Sequence, residues 1–313
     1  MTDPVRELID RVSNWGRWGD EDELGTANLI TPQKRIEAAA CVRSGKAFSL
    51  AVDFEPDTPQ LRASYRVNPV RSMVNTGTDV SSGRQAAFGI AGHGFADDMV
   101  VMSLQAATQW DSLAHCFHDF RMYNGRDCAL VDGKGAAAND ISTLRDRIVT
   151  RGVLADVAGQ HGVEALEADH HVTVEELEAT LAAQGVEVRP GDALLVRTGH
   201  LGRIRRAGAW DRFVEADEPG LGHGALPWLR DRDVAAVASD NWAFEVYPSR
   251  FALPMPFHAI GIVYMGLLIG EIFELDALAE DCREDGLWDF LFTAPPLPFL
   301  GAVGSPVNPL AVR

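Results

Sequence analysis

The 313 residues carry 45 Asp and Glu against 28 Lys and Arg, a formal net charge of -17, with 46% hydrophobic and 23% charged residues. That length and apolar content allow a sizeable core in one large domain or two small ones. An acidic chain in which no Lys/Arg cluster stands out argues against nucleic acid or an anionic membrane as main partner, and leaves a small organic substrate.

The chain opens MTDPVRELID, with no basic region ahead of an apolar stretch, so no secretory signal is expected. The first punctuated helix has Thr31 as N-cap and Pro32 at its first position, and is expected to run to about Gly45. A candidate strand, Ala47–Phe54, follows. From Pro56 to Gly94 the chain is rich in Asn, Ser, Gly and Arg and reads as a long loop excursion covering a substrate site. Further candidate strands are Met99–Leu104, Gly152–Val157, Ala193–Arg197, Val234–Ser239 and Ala259–Leu268. Thr173 and Glu176, three apart, open a helix that stops at Gly185, and Arg189–Asp192 turns the chain into the next strand. A last helix is expected over Leu275–Glu284. The longest uncharged apolar run, Ala259 to Gly270, is too short to span a bilayer. The tail from Ala294 to Arg313 carries five prolines and reads as an extended arm on the surface. Cys41, Cys116, Cys128 and Cys282 form no CxxC, which suits reduced thiols in a cytoplasm. Strands alternating with helices predict an α/β fold with a largely buried sheet.

The chemistry concentrates in Gln105-Ala106-Ala107-Thr108-Gln109-Trp110-Asp111-Ser112-Leu113-Ala114-His115. Two amides, a carboxylate and an imidazole fall within eleven residues after the candidate strand Met99–Leu104, where polar side chains can project into a cleft. A polar loop with satisfied hydrogen bonds is the alternative. Trp110 could stack on a cyclic substrate or fill the core. His118, beside Asp119, could line the same pocket or sit on the surface. Asp240-Asn241-Trp242 follows a candidate strand and could reach the cleft or form a turn. His93 lies in the excursion as a candidate lid residue. His170 and His171 are expected to face solvent, and His161, His200 and His223 show no partner pattern.

The segment resembles the His-x-Gly-Thr-His-x-Asp-x-Pro-x-His element of the cyclase-type metal-dependent hydrolases, the family that includes bacterial kynurenine formamidase and isatin hydrolase. Thr108, Asp111 and His115 match it. Gln105 and Gln109 stand where two metal-binding histidines would be, Ala107 replaces the glycine and Leu113 the proline. Trp15-Gly16-Arg17-Trp18-Gly19, Asp22-Glu23-Leu24-Gly25-Thr26, Met122-Tyr123-Asn124-Gly125 and the closing run Gly301–Pro309 are similar to the longer bacterial branch, so the resemblance covers nearly the whole chain. His258 and Glu271, around an apolar stretch, match the family's second element, in which a histidine and a glutamate help to hold metal.

The resemblance implies one domain over 1–313 with the cyclase-type fold, a central mixed β-sheet flanked by helices, in a homodimer or homotetramer. It implies water attacking an amide or lactone carbonyl, a metal held by Asp111, His258 and Glu271, and His115 as proton shuttle; Gln109 would add its amide oxygen to that metal set. Amide oxygens are weak, hard ligands, so manganese suits this set better than zinc. Without metal, Gln105 and Gln109 could donate to a substrate oxyanion while His115 and Asp111 act as acid and base. Three functions therefore stand at this point: a hydrolase of a cyclic amide, lactone or aryl formamide; a metal-independent cyclase, dehydratase or isomerase; and a non-catalytic binding protein.

Overall fold

The computed structural model describes residues 3–57, 59–60, 66–88, 92–208, 210, 213 and 217–313. Nine strands form one mixed sheet: β1 (Ala47–Ser49), β2 (Gln109–Asp111), β3 (Val149–Asp156), β4 (Ala193–Arg197), β5 (Ala236–Ser239), β6 (Leu268–Glu271), β7 (Asp289–Thr293), β8 (Gly304–Pro306) and β9 (Leu310–Val312). Their order is β1-β9-β7-β3-β4-β5-β6-β2-β8. The middle four, β3-β4-β5-β6, are parallel, and the flanking pairs are antiparallel. This is the α/β fold with a central mixed sheet that the sequence predicts.

The parallel strands are buried along nearly their whole length. Apolar runs such as Ala193-Leu194-Leu195-Val196 suit that position, because helices cover both faces of such a sheet. The helix Val174–Gln184 forms as its local code dictates. Thr173 accepts from the Glu176 backbone, Glu176 accepts from the Thr173 backbone, and Gly185 closes the end with φ 65°. The helices Pro32–Ala39 and Asp276–Asp285 also lie where expected, although the first stops short of Gly45. Pro4–Val12, His200–Ala207 and Ala225–Asp231 are further helices that punctuation alone did not bring out.

Four expectations need correction. Ala259–Leu268 is not a strand: Phe257–Met265 is a π-helical segment ended by Gly266, and β6 begins only at Leu268. A continuous apolar run fits a buried helix and a buried strand equally well. Met99–Leu104 does not lead into the sheet. Its observed strand, Asp97–Val101, pairs with Val70–Asn75 in a separate two-stranded ribbon whose Val70, Met73, Val74, Met99, Val100 and Val101 are exposed. The excursion 56–94 therefore holds a ribbon strand and a short capped helix, Gly77–Ser81, although residues 58, 61–65 and 89–91 lie outside the described residues. The proline-rich tail is no surface arm, since it supplies β8 and β9 to the sheet. Of its prolines only Pro306 lies within a strand, the edge strand β8, and the other four fall between strands. Among the described residues, no helix is long and apolar enough to cross a membrane.

Candidate metal centre and active site

Strand β2 is three residues long and lies between β6 and β8. Its register sets Gln109 opposite Glu271, and Asp111 opposite Gly304. Alternation along the strand sends Gln109 and Asp111 to one face and Trp110 to the other. Thr108 ties the strand in place: its hydroxyl donates to the Ile272 carbonyl at 2.6 Å and accepts from the Val52 backbone at 2.9 Å. Beyond β2 the chain turns tightly, with the His115 backbone donating to Ser112 O, and His115 comes back over Asp111.

On the polar face, five side chains meet. Gln109 Nε2 donates to Glu271 Oε2 at 2.5 Å. His258 Nε2 lies 3.1 Å from Glu271 Oε1 and 3.5 Å from Asp111 Oδ2. His115 Nε2 stands 3.6 Å from Asp111 Oδ1. The second nitrogen of His258 is 2.8 Å from Glu245 Oε1, and Glu245 also accepts from the backbones of Phe257 and His258. With Nδ1–H directed at Glu245, the Nε2 lone pair faces two carboxylates. A neutral ring would be repelled there, so a proton or a cation must stand between. Burial opposes the imidazolium, yet its contacts to Asp111, Glu245 and Glu271 outweigh that and hold His258 well above the ordinary histidine range. Burial likewise works to raise Asp111, but His115, His258 and Arg66 prevail and hold it below the usual aspartate value. Burial raises Glu245 above the usual range.

The donor chemistry fits a divalent ion. Asp111, His258 and Glu271 each offer a ligand atom, all within 4.8 Å of one another. Both Asp111 oxygens and Gln109 Oε1 are buried without a hydrogen-bond partner among the described residues. Unsatisfied buried oxygens are costly, and a cation would satisfy them. A metal-binding imidazole whose other nitrogen donates to a carboxylate is the usual arrangement around such ions.

Gln105 stands beside this face. A Cβ on Gly304 would lie 2.4 Å from Gln105 Nε2, a buried atom without a hydrogen-bond partner among the described residues, so the bare glycine leaves its amide room. The structure thus brings Gln109, Asp111, His115, His258 and Glu271 together, with Gln105 adjoining. Trp110 is a correction. It is fully buried on the opposite face, edge-on to Phe273 and Phe292, with its indole N–H on Ala294 O, and it cannot stack on a substrate. His118 is partly buried, with Nδ1 2.9 Å from Tyr264 Oη. His93 is exposed. Asp240 accepts three hydrogen bonds from Thr198 and Gly199 and serves that turn.

Four residues escaped the sequence reading. Glu245 orients His258. The Cys116 thiol lies among the charges of the cluster and is pushed up to about 12 by burial. Arg66 donates to Gln105 O at 3.3 Å and stacks over Trp242 at 5.5 Å, a cation at the edge of the cluster. Glu218 is buried, accepts from the Trp242 backbone, and is held well above the usual glutamate range by burial. Of these only Glu245 carried a sequence signal: it precedes His258 by the thirteen residues that separate His258 from Glu271.

Comparison with known proteins fits this picture. A family profile described as "Putative cyclase" matches residues 48–246. The chain is similar to a crystal structure of a novel cyclase, with 36% identity and a TM-score of 0.89, over 96% of this chain and 100% of that one. It shares its fold with isatin hydrolase A from Ralstonia solanacearum (19% identity, TM-score 0.63, 85% of this chain and 91% of that one). It also shares the fold with a predicted metal-dependent hydrolase from Bacillus stearothermophilus (15% identity, TM-score 0.51, 85% and 97%). No curated protein matches the chain.

Proposed function

Because the chain belongs to the cyclase family, we propose that it is a metal-assisted hydrolase that opens a cyclic amide or lactone, or cleaves an aryl formamide. The observation that carries this reading is the convergence of His258 Nε2, Asp111 and Glu271 around unsatisfied oxygens, with His115 at the Asp111 carboxylate. Asp111, His258 and Glu271 would hold the ion, with Gln109 Oε1 as a fourth donor. Bound there, a divalent ion supplies Lewis acidity at the scissile carbonyl and acidifies an attacking water. His115 accepts the proton from that water and returns it to the leaving nitrogen or oxygen as the carbonyl bond to it breaks. In this reading Asp111 keeps the His115 ring oriented, and the Gln105 amide would donate to the developing oxyanion. The whole chain, 1–313, acts as one domain in this reading, in a homodimer or homotetramer.

A second reading has its own observation. His258 lies within 3.5 Å of carboxylate oxygens of Asp111, Glu245 and Glu271, so a proton on its ring would neutralise part of the cluster without metal. A metal-independent cyclase, dehydratase or isomerase using His115 and Asp111 would follow.

Metal exchange separates the two. Chelator-treated protein is assayed on a panel of cyclic amides, lactones and aryl formamides with manganese, zinc or no metal. Hydrolysis restored by manganese supports the first reading, and turnover that ignores metal supports the second. Gln105→His with Gln109→His should raise zinc affinity at the cluster. Tight stoichiometric zinc in the wild type that is lost in Asp111→Asn would contradict the preference for a harder ion.

A further inference from the structure

A second convergence of ligands lies in the stretch between β3 and β4. The short helix Val157–Gln160 ends at His161, whose backbone donates to Val157 O. His170 closes the following loop. Glu176 stands in the first turn of the helix Val174–Gln184, where Oε2 is held by the Thr173 backbone at 2.8 Å. Its other oxygen, Oε1, lies 2.8 Å from His170 Nε2 and 3.1 Å from His161 Nε2. The two rings sit 5.2 Å apart at 75°. One oxygen and two imidazole nitrogens thus lie within 4.8 Å of one another.

We propose that His161, His170 and Glu176 form a second metal site, taking zinc with water in the open position. Two imidazoles and one carboxylate make a borderline donor set suited to zinc. Tetrahedral zinc with ligands at about 2.05 Å sets them about 3.3 Å apart, so the nitrogen–oxygen separations here need only a small outward shift. His161 is exposed and its partners are partly exposed, which leaves room for water. The hydrogen bond from Thr173 fixes the carboxylate, as outer partners of metal ligands do. Zinc here would clip the two ends of the loop 162–169. That loop packs on the turn before the helix His200–Ala207, where Leu166 N donates to Thr198 O and Arg203 donates to Leu166 O.

The test is equilibrium dialysis of the chelator-treated full chain against zinc, for the wild type, His161→Ala, His170→Ala and Asp111→Asn. Removing even an outer partner of a ligand costs about 10–100-fold in metal affinity, so loss of a direct ligand should cost at least as much. One zinc equivalent should disappear, or weaken by that factor, in His161→Ala and His170→Ala, and persist in Asp111→Asn. Zinc should also slow proteolysis within 162–169 in the wild type and not in the two histidine variants. Zinc binding equal in the wild type and both histidine variants would overturn the proposal. His161 is exposed, and circular dichroism confirms that its variant is folded.

Discussion

His115 stands one tight turn past β2, 3.6 Å from Asp111. Imidazole accepts and releases a proton near neutrality, and a positioned acid/base group contributes about 10²–10⁴-fold in rate. His115→Ala should therefore lower kcat by that order on whichever substrate the panel identifies, with an unchanged thermal midpoint. Unchanged turnover would remove His115 from the mechanism. A second histidine carries a pH signature. His200 is buried with its Nδ1 accepting from Arg203 at 2.8 Å, and burial, with Arg203 adding to it, depresses its pKa to about 3. Below pH 6.5 the unfolded chain takes up a proton that the folded chain refuses. The stabilisation is thus complete above pH 6.5 and is lost as the pH falls toward 3. Between pH 7 and 5 the loss is about 2 kcal/mol. Urea unfolding at both pH values should show a loss smaller by about that amount in His200→Gln, and equal losses would rule His200 out.

At the scale of elements, the site depends on two glycines on the strands beside β2. A Cβ on Gly270 of β6 would lie 2.8 Å from the rings of both Trp110 and Phe273, which are packed in the core. Overpacking of this kind costs about 1–3 kcal/mol. Gly270→Ala should lower the urea midpoint accordingly, and full stability would show that the core yields. On β8, a Cβ at Gly304 meets the end of the Gln105 side chain at 2.4 Å, which can swing away, and the Trp110 carbonyl oxygen at 3.0 Å, which is fixed in the strand. The same contrast explains what was legible in the sequence. The Thr173–Glu176 capping box and the strand Ala193–Arg197 are local signals, and both elements lie where the sequence puts them. Asp111, His258 and Glu271 were found through two separated motifs. The pairing that joins them was hidden, because Gln109-Trp110-Asp111 is too short to announce a strand and its partner Glu271 lies 162 residues away. The burial of Trp110 follows from that pairing and could not be read ahead of it. Arg66 escaped because a lone charge in a loop has no periodicity to mark it, and Glu245 because its thirteen-residue spacing to His258 gains meaning only once the chain is folded.

For the whole molecule, the excess of acid is sharpened by where the bases go. Lys34 and Arg151 are drawn inside onto Asp192, at 2.5 and 2.6 Å, and Arg197 pairs with Asp156 and Asp276, both at 2.8 Å. A chain with a net charge of -17 repels itself, and dissolved salt screens that repulsion more than it weakens the buried pairs. Sodium chloride should therefore raise the thermal midpoint. A divalent ion held by Asp111, His258 and Glu271 adds a different term, because it binds the folded state alone. At one hundred times its dissociation constant such an ion stabilises by about 2.7 kcal/mol. Manganese should consequently raise the midpoint beyond sodium chloride at matched ionic strength, and the extra increment should vanish in Asp111→Asn while the sodium chloride effect remains. If manganese and sodium chloride act alike at equal ionic strength, the acidic surface accounts for the whole response and the buried carboxylates hold no ion.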